Sequence, residues 1–197
     1  MEPEKTEGIP ETMVIPLFEI VVYPDSRTKF QVDRTTGNLL LDAMKNERTA
    51  HAAGFTVKSG TRPQELTGES LYRIGNLFHV EYVQPADDGY IICARVVQRV
   101  KAVSFTEKDG RLYATCDPVP DLQDLDDDSK ARILADIKLT IHEMSSRFSG
   151  SEQFTEPIDR MDSVDRIMGF VMPFLPIHLG EKQALLEIVS VRERSIT

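Results

Sequence analysis

"IPLFEIVVYPDSRTKF", residues 15–30, is the stretch whose reading decides the fold. Ile15 to Tyr23 is an apolar run broken only by Glu19, and Pro24 closes it. β-branched Val21 and Val22 ahead of Tyr23-Pro24 suit a strand that stops at the proline. Residues 28–32 read as a second short extended piece. Asp33 then offers an N-cap, and Leu39, Leu40, Ala43 and Met44 give the following helix an apolar stripe. A core strand at the start of a β-rich lobe is the plain reading, and the rest of the chain decides whether more is allowed.

Working outward, strands continue. "HAAGFTV" (51–57) is another strand, and 58–69, with Gly60, Pro63 and Gly68, is a loop. Residues 77–83 lead into "ADDG" (86–89), which turns the chain into "YIICARVV" (90–97). "VKAVSF" (100–105), a turn at "KDG" (108–110) and "RLYATC" (111–116) repeat the pattern. Asp-Gly between apolar runs predicts a hairpin each time. After "PVPDLQDLDDDSK" (118–130) the period changes. Leu134, Ile137, Ile141, Met144 and Phe148 step by three and four, one face of a helix ended by Gly150. Val164, Ile167, Met168, Val171 and Met172 mark a second helix stopped by Pro173, and 179–194 reads as a third. The expected fold is α+β. Residues 1–12 form a flexible tail, 13–117 a β-rich lobe with one short helix, 118–130 a linker and 131–197 a helical lobe.

Composition narrows the function. The 197 residues are 41% hydrophobic, enough for a proper core, and 23 basic against 32 acidic residues give a net charge of −9. Nucleic-acid binding is disfavoured, because phosphate needs clustered Lys and Arg. The short basic piece at 95–101 reads as a solvated face. No apolar stretch reaches the roughly 20 residues of a membrane span, and the acidic N-terminus lacks a signal-peptide core. A cytoplasmic location without membrane partners is expected. Cys93 and Cys116 sit in strand-like runs and read as reduced core thiols.

Reactive constellations are scarce. "HEMSS" (142–146) begins like a zinc-protease helix, but Ser146 stands where the second His belongs. Asp124, Asp126 and Asp128 open like a calcium loop, yet Ser129 replaces the turn glycine and Ala135 the last carboxylate. Aspartates capping a helix N-terminus explain that run better. Neither a phosphate loop nor a GxSxG elbow occurs. No catalytic residue, metal ligand or cofactor is assigned.

One longer segment is more specific. In "DRIMGFVMPFLPIHLGEKQALLEIVSVRER", residues 165–194, a helix runs into Met-Pro and "EKQALLE" opens a helix closing on "VRER". Asp165, Ile167, Pro173, Lys182, Gln183, Leu185, Leu186, Glu187, Glu193 and Arg194 are similar to the end of the N-terminal domain of ATP-dependent Lon proteases. Pro16, Leu17, Val21, Val22, Tyr23 and Pro24 resemble the Pro-Leu-x-x-x-V-V-x-P opening of the same domain. The resemblance covers about residues 13–194. Departures fall at Phe18-Glu19, Lys29-Phe30 and residues 95–99, where only Arg99 of an E-G-x-x-R strand survives. The last helix also ends on Arg194-Ser195-Ile196-Thr197, where the family usually continues with an apolar residue.

The resemblance implies a PUA-like β lobe followed by a helical bundle. It implies recognition of unfolded or damaged protein clients and support of assembly with other Lon subunits. ATP hydrolysis and serine-protease cleavage would occur in modules outside these residues. A free-standing Lon-like adaptor, with or without a small-molecule ligand, is the alternative. Adaptable apolar contacts suit the task. Most of Met144, Met168, Met172, Phe148 and Phe174 read as core. Phe154, Met161 and Phe170, off the best apolar stripes, are the client-contact candidates, joined by Tyr23 and Phe30 beside the first strand. The net negative charge points to basic or apolar client segments.

Overall fold

The computed structural model describes residues 8–47, 50–145 and 152–196. It is α+β, as the change of period requires. Six strands come first: β1 (Ile9–Leu17), β2 (Arg27–Val32), β3 (Ala50–Thr56), β4 (Ile74–Ala86), β5 (Gly89–Lys108) and β6 (Arg111–Pro118). Helix α1 (Arg34–Glu47) lies between β2 and β3. Then follow α2 (Asp127–Ser145), α3 (Glu152–Asp159), α4 (Val164–Val171), α5 (Leu179–Glu187) and α6 (Val191–Ile196).

The sheet order is β2-β5-β4-β3-β1-β6, and β6 also pairs with β5. Strands β5, β4, β3, β1 and β6 therefore close into a ring, and β2 extends it as a flap on β5. Closure removes the exposed edges that an open sheet would leave. β1 and β3 run parallel, and the other pairings are antiparallel. One end of the interior holds Ile15, Leu17, Phe78, Ile92 and Val96 under α1. The other holds Phe55, Leu71, Val100 and Cys116.

The local reasons are those of the sequence, with corrections. Asp33 Oδ1 accepts from the backbone N–H groups of Thr35 and Thr36 at 2.8 and 3.0 Å, capping α1. Asp126 does the same for α2 through Ser129 N–H at 2.7 Å. Both expected hairpins form, and Asp109 and Gly110 at φ 51° and 71° give the second a two-residue left-handed turn. Cys93 and Cys116 are free and buried, and burial pushes the Cys116 thiol up to about 11.

The tail is shorter than expected, because Ile9 and Thr12 already pair with Cys116 and Ala114 of β6. The first strand also stops earlier. β1 ends at Leu17, Glu19 turns the chain at φ 57°, and Val21–Tyr23 is buried without being strand. "YIICARVV" and "VKAVSF" are not two strands but the two halves of β5, which exchanges β2 and β4 for β6 near Val100. Single extra residues at Val97 and Val103 bend it, and both side chains point outward at 37% and 57% exposure. The third helix of the sequence reading is broken at Ile188 into α5 and α6. The cause is tertiary: Leu122 pairs with Ser190, and Asp124 Oδ1 accepts from Arg192 N–H at 3.0 Å. Helix α3 is short, with Pro157 inside it and one apolar pair at helical spacing, Phe154 and Ile158, a pattern too brief for the sequence reading to mark as a helix. Along α2, Leu134, Ile137 and Ile141 are half-buried and Met144 is exposed, while Phe148 and Gly150 lie outside the described residues.

Candidate functional site

The helices meet the β ring around residues 21–26. Val21 and Tyr23 pack with Met172 and Leu186. Tyr23 is wholly buried, and its hydroxyl donates to Lys182 O of α5 at 2.6 Å, so the buried polar tip is satisfied. Burial pushes its phenol well above the ordinary range. Gln183 Nε2 donates to Ile74 O of β4 at 2.9 Å, and Asn76 Nδ2 donates to Val22 O at 2.6 Å. Three buried polar side chains thus dock α5 and the 20–23 segment on the ring.

A charged cluster completes this joint. Arg99 of β5 pairs with Asp121 at 2.8 Å, and Arg194 of α6 with Asp121 at 3.0 Å and Asp165 of α4 at 3.1 Å. Both arginine side chains are 1% exposed. The solvated face expected at 95–101 is therefore wrong for Arg99, one of the most buried side chains. Burial raises the Asp121 carboxyl, but the two guanidiniums outweigh it and hold it below its ordinary value. At Asp165 burial wins over Arg194 and the carboxyl is raised. The 118–130 segment is pinned at its middle by Asp121 and Leu122. An unpaired buried charge is costly, so the four groups hold the elements in one arrangement.

Beside this joint opens a cleft of about 880 Å³. Its strand-side wall is the turn Asp25-Ser26, with Arg27 of β2 and Arg95 of β5. Residues 161–163, Arg166, Gly169 and Phe170 of α4, and Phe174 form the helix side. Gly169 allows the two walls to meet, since a Cβ there would lie 2.7 Å from Ser26 Cβ. Phe170 and Phe174 rings stand 6.2 Å apart, and Phe174 is 63% exposed. Arg166 pairs with Asp162 at 2.8 Å and Arg27 with Glu81 at 3.1 Å. Arg95 is exposed and has no ion pair among the described residues.

The five sequence candidates separate. Met161 and Phe170 come together in the cleft. Tyr23 is buried and held by α5, so it is unavailable for contact. Phe30 packs against the core with its ring 5.6 Å from Phe78, which corrects its placement as a surface contact. Phe154 falls on α3, and its side chain lies outside the described residues. Sequence reasoning missed Phe174 and the arginines. Phe174 follows Pro173, which stops the helix and throws the next residue off its stripe, and that was the available signal. His142, the half-motif histidine, pairs with Asp159 at 2.8 Å and ties α2 to α3. Among the described residues no group of three or more His, Cys, Asp or Glu could hold a metal, and no helix is long and apolar enough to cross a membrane.

A β ring joined to helices by a buried polar dock, with an open aromatic cleft beside it, defines an α+β binding domain. Residues 11–196 match the family model described as the ATP-dependent protease La (LON) substrate-binding domain. The chain belongs to the Lon substrate-binding domain family. It is 56% identical over 194 residues to a Lon protease of Methanosarcina barkeri, covering 98% of this chain and 24% of that protein. A Lon protease of Clostridium beijerinckii is 26% identical, with 93% of this chain and 23% of the relative covered. The chain thus spans about a quarter of the length of these relatives. The solved N-terminal domain of a Mycobacterium avium complex Lon protease superposes with a TM-score of 0.69 at 17% identity, covering 94% of both chains. That of the Xanthomonas campestris protein superposes at 0.58 and 15%, over 94% of this chain and 95% of that one.

Proposed function

We propose that this chain recognises unfolded or damaged protein clients for an ATP-dependent Lon-type serine protease and supports assembly of its subunits. Client capture is its own work and needs no cofactor. ATP hydrolysis and peptide cleavage belong to other modules of the assembly, so the chain alone is not an enzyme. The setting is cytoplasmic protein quality control. The closed ring with its β2 flap serves as a PUA-like scaffold, and the helical part supplies the contact surface. The observation that carries this reading is the open cleft with Met161, Phe170 and Phe174 on one wall, inside the family-matched region. Flexible sulfur and aromatic side chains adapt to varied apolar segments without demanding one sequence. The free-standing adaptor is not favoured, because the curated relatives compared are named Lon proteases.

The test is a binding titration of the chain against one protein in unfolded and folded forms, with and without ATP. Selective, ATP-independent binding of the unfolded form without cleavage is the expected result. Failure to bind either form overturns client recognition by this domain.

A further inference from the structure

The cleft has a charge that the whole chain does not. Three arginines against two aspartates line it, although the protein carries a net charge of −9. Its arginines also continue outward along the sheet. Arg27 stands directly opposite Arg95 across β2 and β5, Arg95 opposite His79 across β5 and β4, and His79 opposite His51 across β4 and β3. Directly opposed residues share a face of the sheet. This is the outer face, because the neighbours Ala94, Val96, Phe78, Val80, Ala50 and Ala52 all belong to the core. Arg27, Arg95 and His51 are exposed and His79 half-buried. The His51 and His79 rings stand 5.5 Å apart. With strands spaced about 4.8 Å apart, the row is about 14 Å long. Arg27 is held by Glu81, whereas Arg95 at the centre has no carboxylate partner among the described residues. Basic groups placed directly opposite one another disfavour the sheet and gain from an anionic occupant.

We infer that the cleft and this row form one site for a client segment in which a large apolar side chain is flanked by carboxylates. The apolar residue sits against Met161, Phe170 and Phe174, and the acidic residues run over Arg95 toward His79 and His51. This rests on the client-recognition reading above and deepens it. It also reverses the charge preference that the net charge implied, because binding responds to the local potential rather than the total. A peptide fits better than nucleic acid, since the row is short, Glu81 pairs with its Arg27, and Asp25 and Asp162 stand in the cleft.

The experiment measures fluorescence anisotropy of three labelled unstructured peptides against the 197-residue chain: one phenylalanine flanked by glutamates, the same flanked by lysines, and the glutamate peptide with serine for phenylalanine. The glutamate–phenylalanine peptide binds tightest, and added salt weakens it. Arg95→Glu weakens it about tenfold, because reversal removes an attraction and adds a repulsion, and strengthens the lysine peptide. Phe174→Ser weakens both phenylalanine peptides, with an unchanged thermal midpoint as the folding control. Equal binding of the glutamate and lysine peptides, unaltered by Arg95→Glu, overturns the charge reading. If an unfolded client still binds in that case, the client-recognition reading stands. A single-stranded oligonucleotide that displaces the glutamate peptide with equal affinity also overturns the proposal. Loss of all peptide and client binding removes both readings.

Discussion

Asp121 joins two buried arginines that are 95 positions apart in the chain, and its substitution is informative. Asp121→Asn leaves Arg99 without its ion-pair partner and Arg194 with Asp165 alone. Breaking a buried pair this way costs about 3 kcal/mol, readable as a lower urea midpoint at unchanged m. The pH sign differs between the two carboxylates. The folded value of Asp121 is lowered, so its stabilisation is present above the ordinary 3.8 and is lost as pH falls through the folded value. Asp165 is raised, so its contribution is present below 3.8 and is lost as pH rises through its folded value. Asp121→Asn should therefore flatten the loss of stability below pH 3.8 that the native chain shows in acid urea titrations. A steeper acid loss in the variant would contradict this assignment.

At the scale of elements, α4 is the piece on which the cleft turns. It presents Phe170 and Arg166 to one side and Asp165 to the buried cluster on the other, and Gly169 sets its approach to the Ser26 turn. Gly169→Val should force α4 away and destabilise the fold by about 1–3 kcal/mol through overpacking. Client binding should fall with it, because the walls of the cleft separate. Gly180 of α5 is the contrast, since a Cβ there meets only Tyr72 Oη at 3.9 Å. Gly180→Ala should leave binding unchanged and raise stability by up to about 1 kcal/mol from helix propensity. Thermal melts and the client titration check both variants. Equal behaviour of the two glycines would mean that α4 does not set the cleft.

For the whole molecule, the joint predicts one cooperative unit. Tyr23, Gln183, Asp121 and Arg194 tie the helical part to the ring through groups that cannot be exposed singly without cost. Tyrosine fluorescence and far-ultraviolet circular dichroism should report coincident urea transitions, both in the native chain and, at a lower midpoint, in Asp121→Asn. Two transitions in the native chain would show independently stable parts. Much of this architecture is legible in the chain itself: caps at Asp33 and Asp126, both Asp-Gly hairpins, the switch from period two to period 3.6, and two end motifs. Those features depend on neighbours within a few residues, so local chemistry settles them. The motif residues Tyr23, Gln183, Asp165 and Arg194 prove to hold the fold together, and the cleft is built largely from others. Sequence alone determined the family, a strand-rich first part followed by a helical one, and two cleft residues, Met161 and Phe170. Tertiary structure alone decided that Tyr23 and Arg99 are buried, that β5 is one bent strand, and that the last helix breaks. It also placed Arg27, Arg95, His79 and His51 in one row. Burial and cross-strand register depend on partners distant in the chain, and periodicity carries no record of which partner arrives.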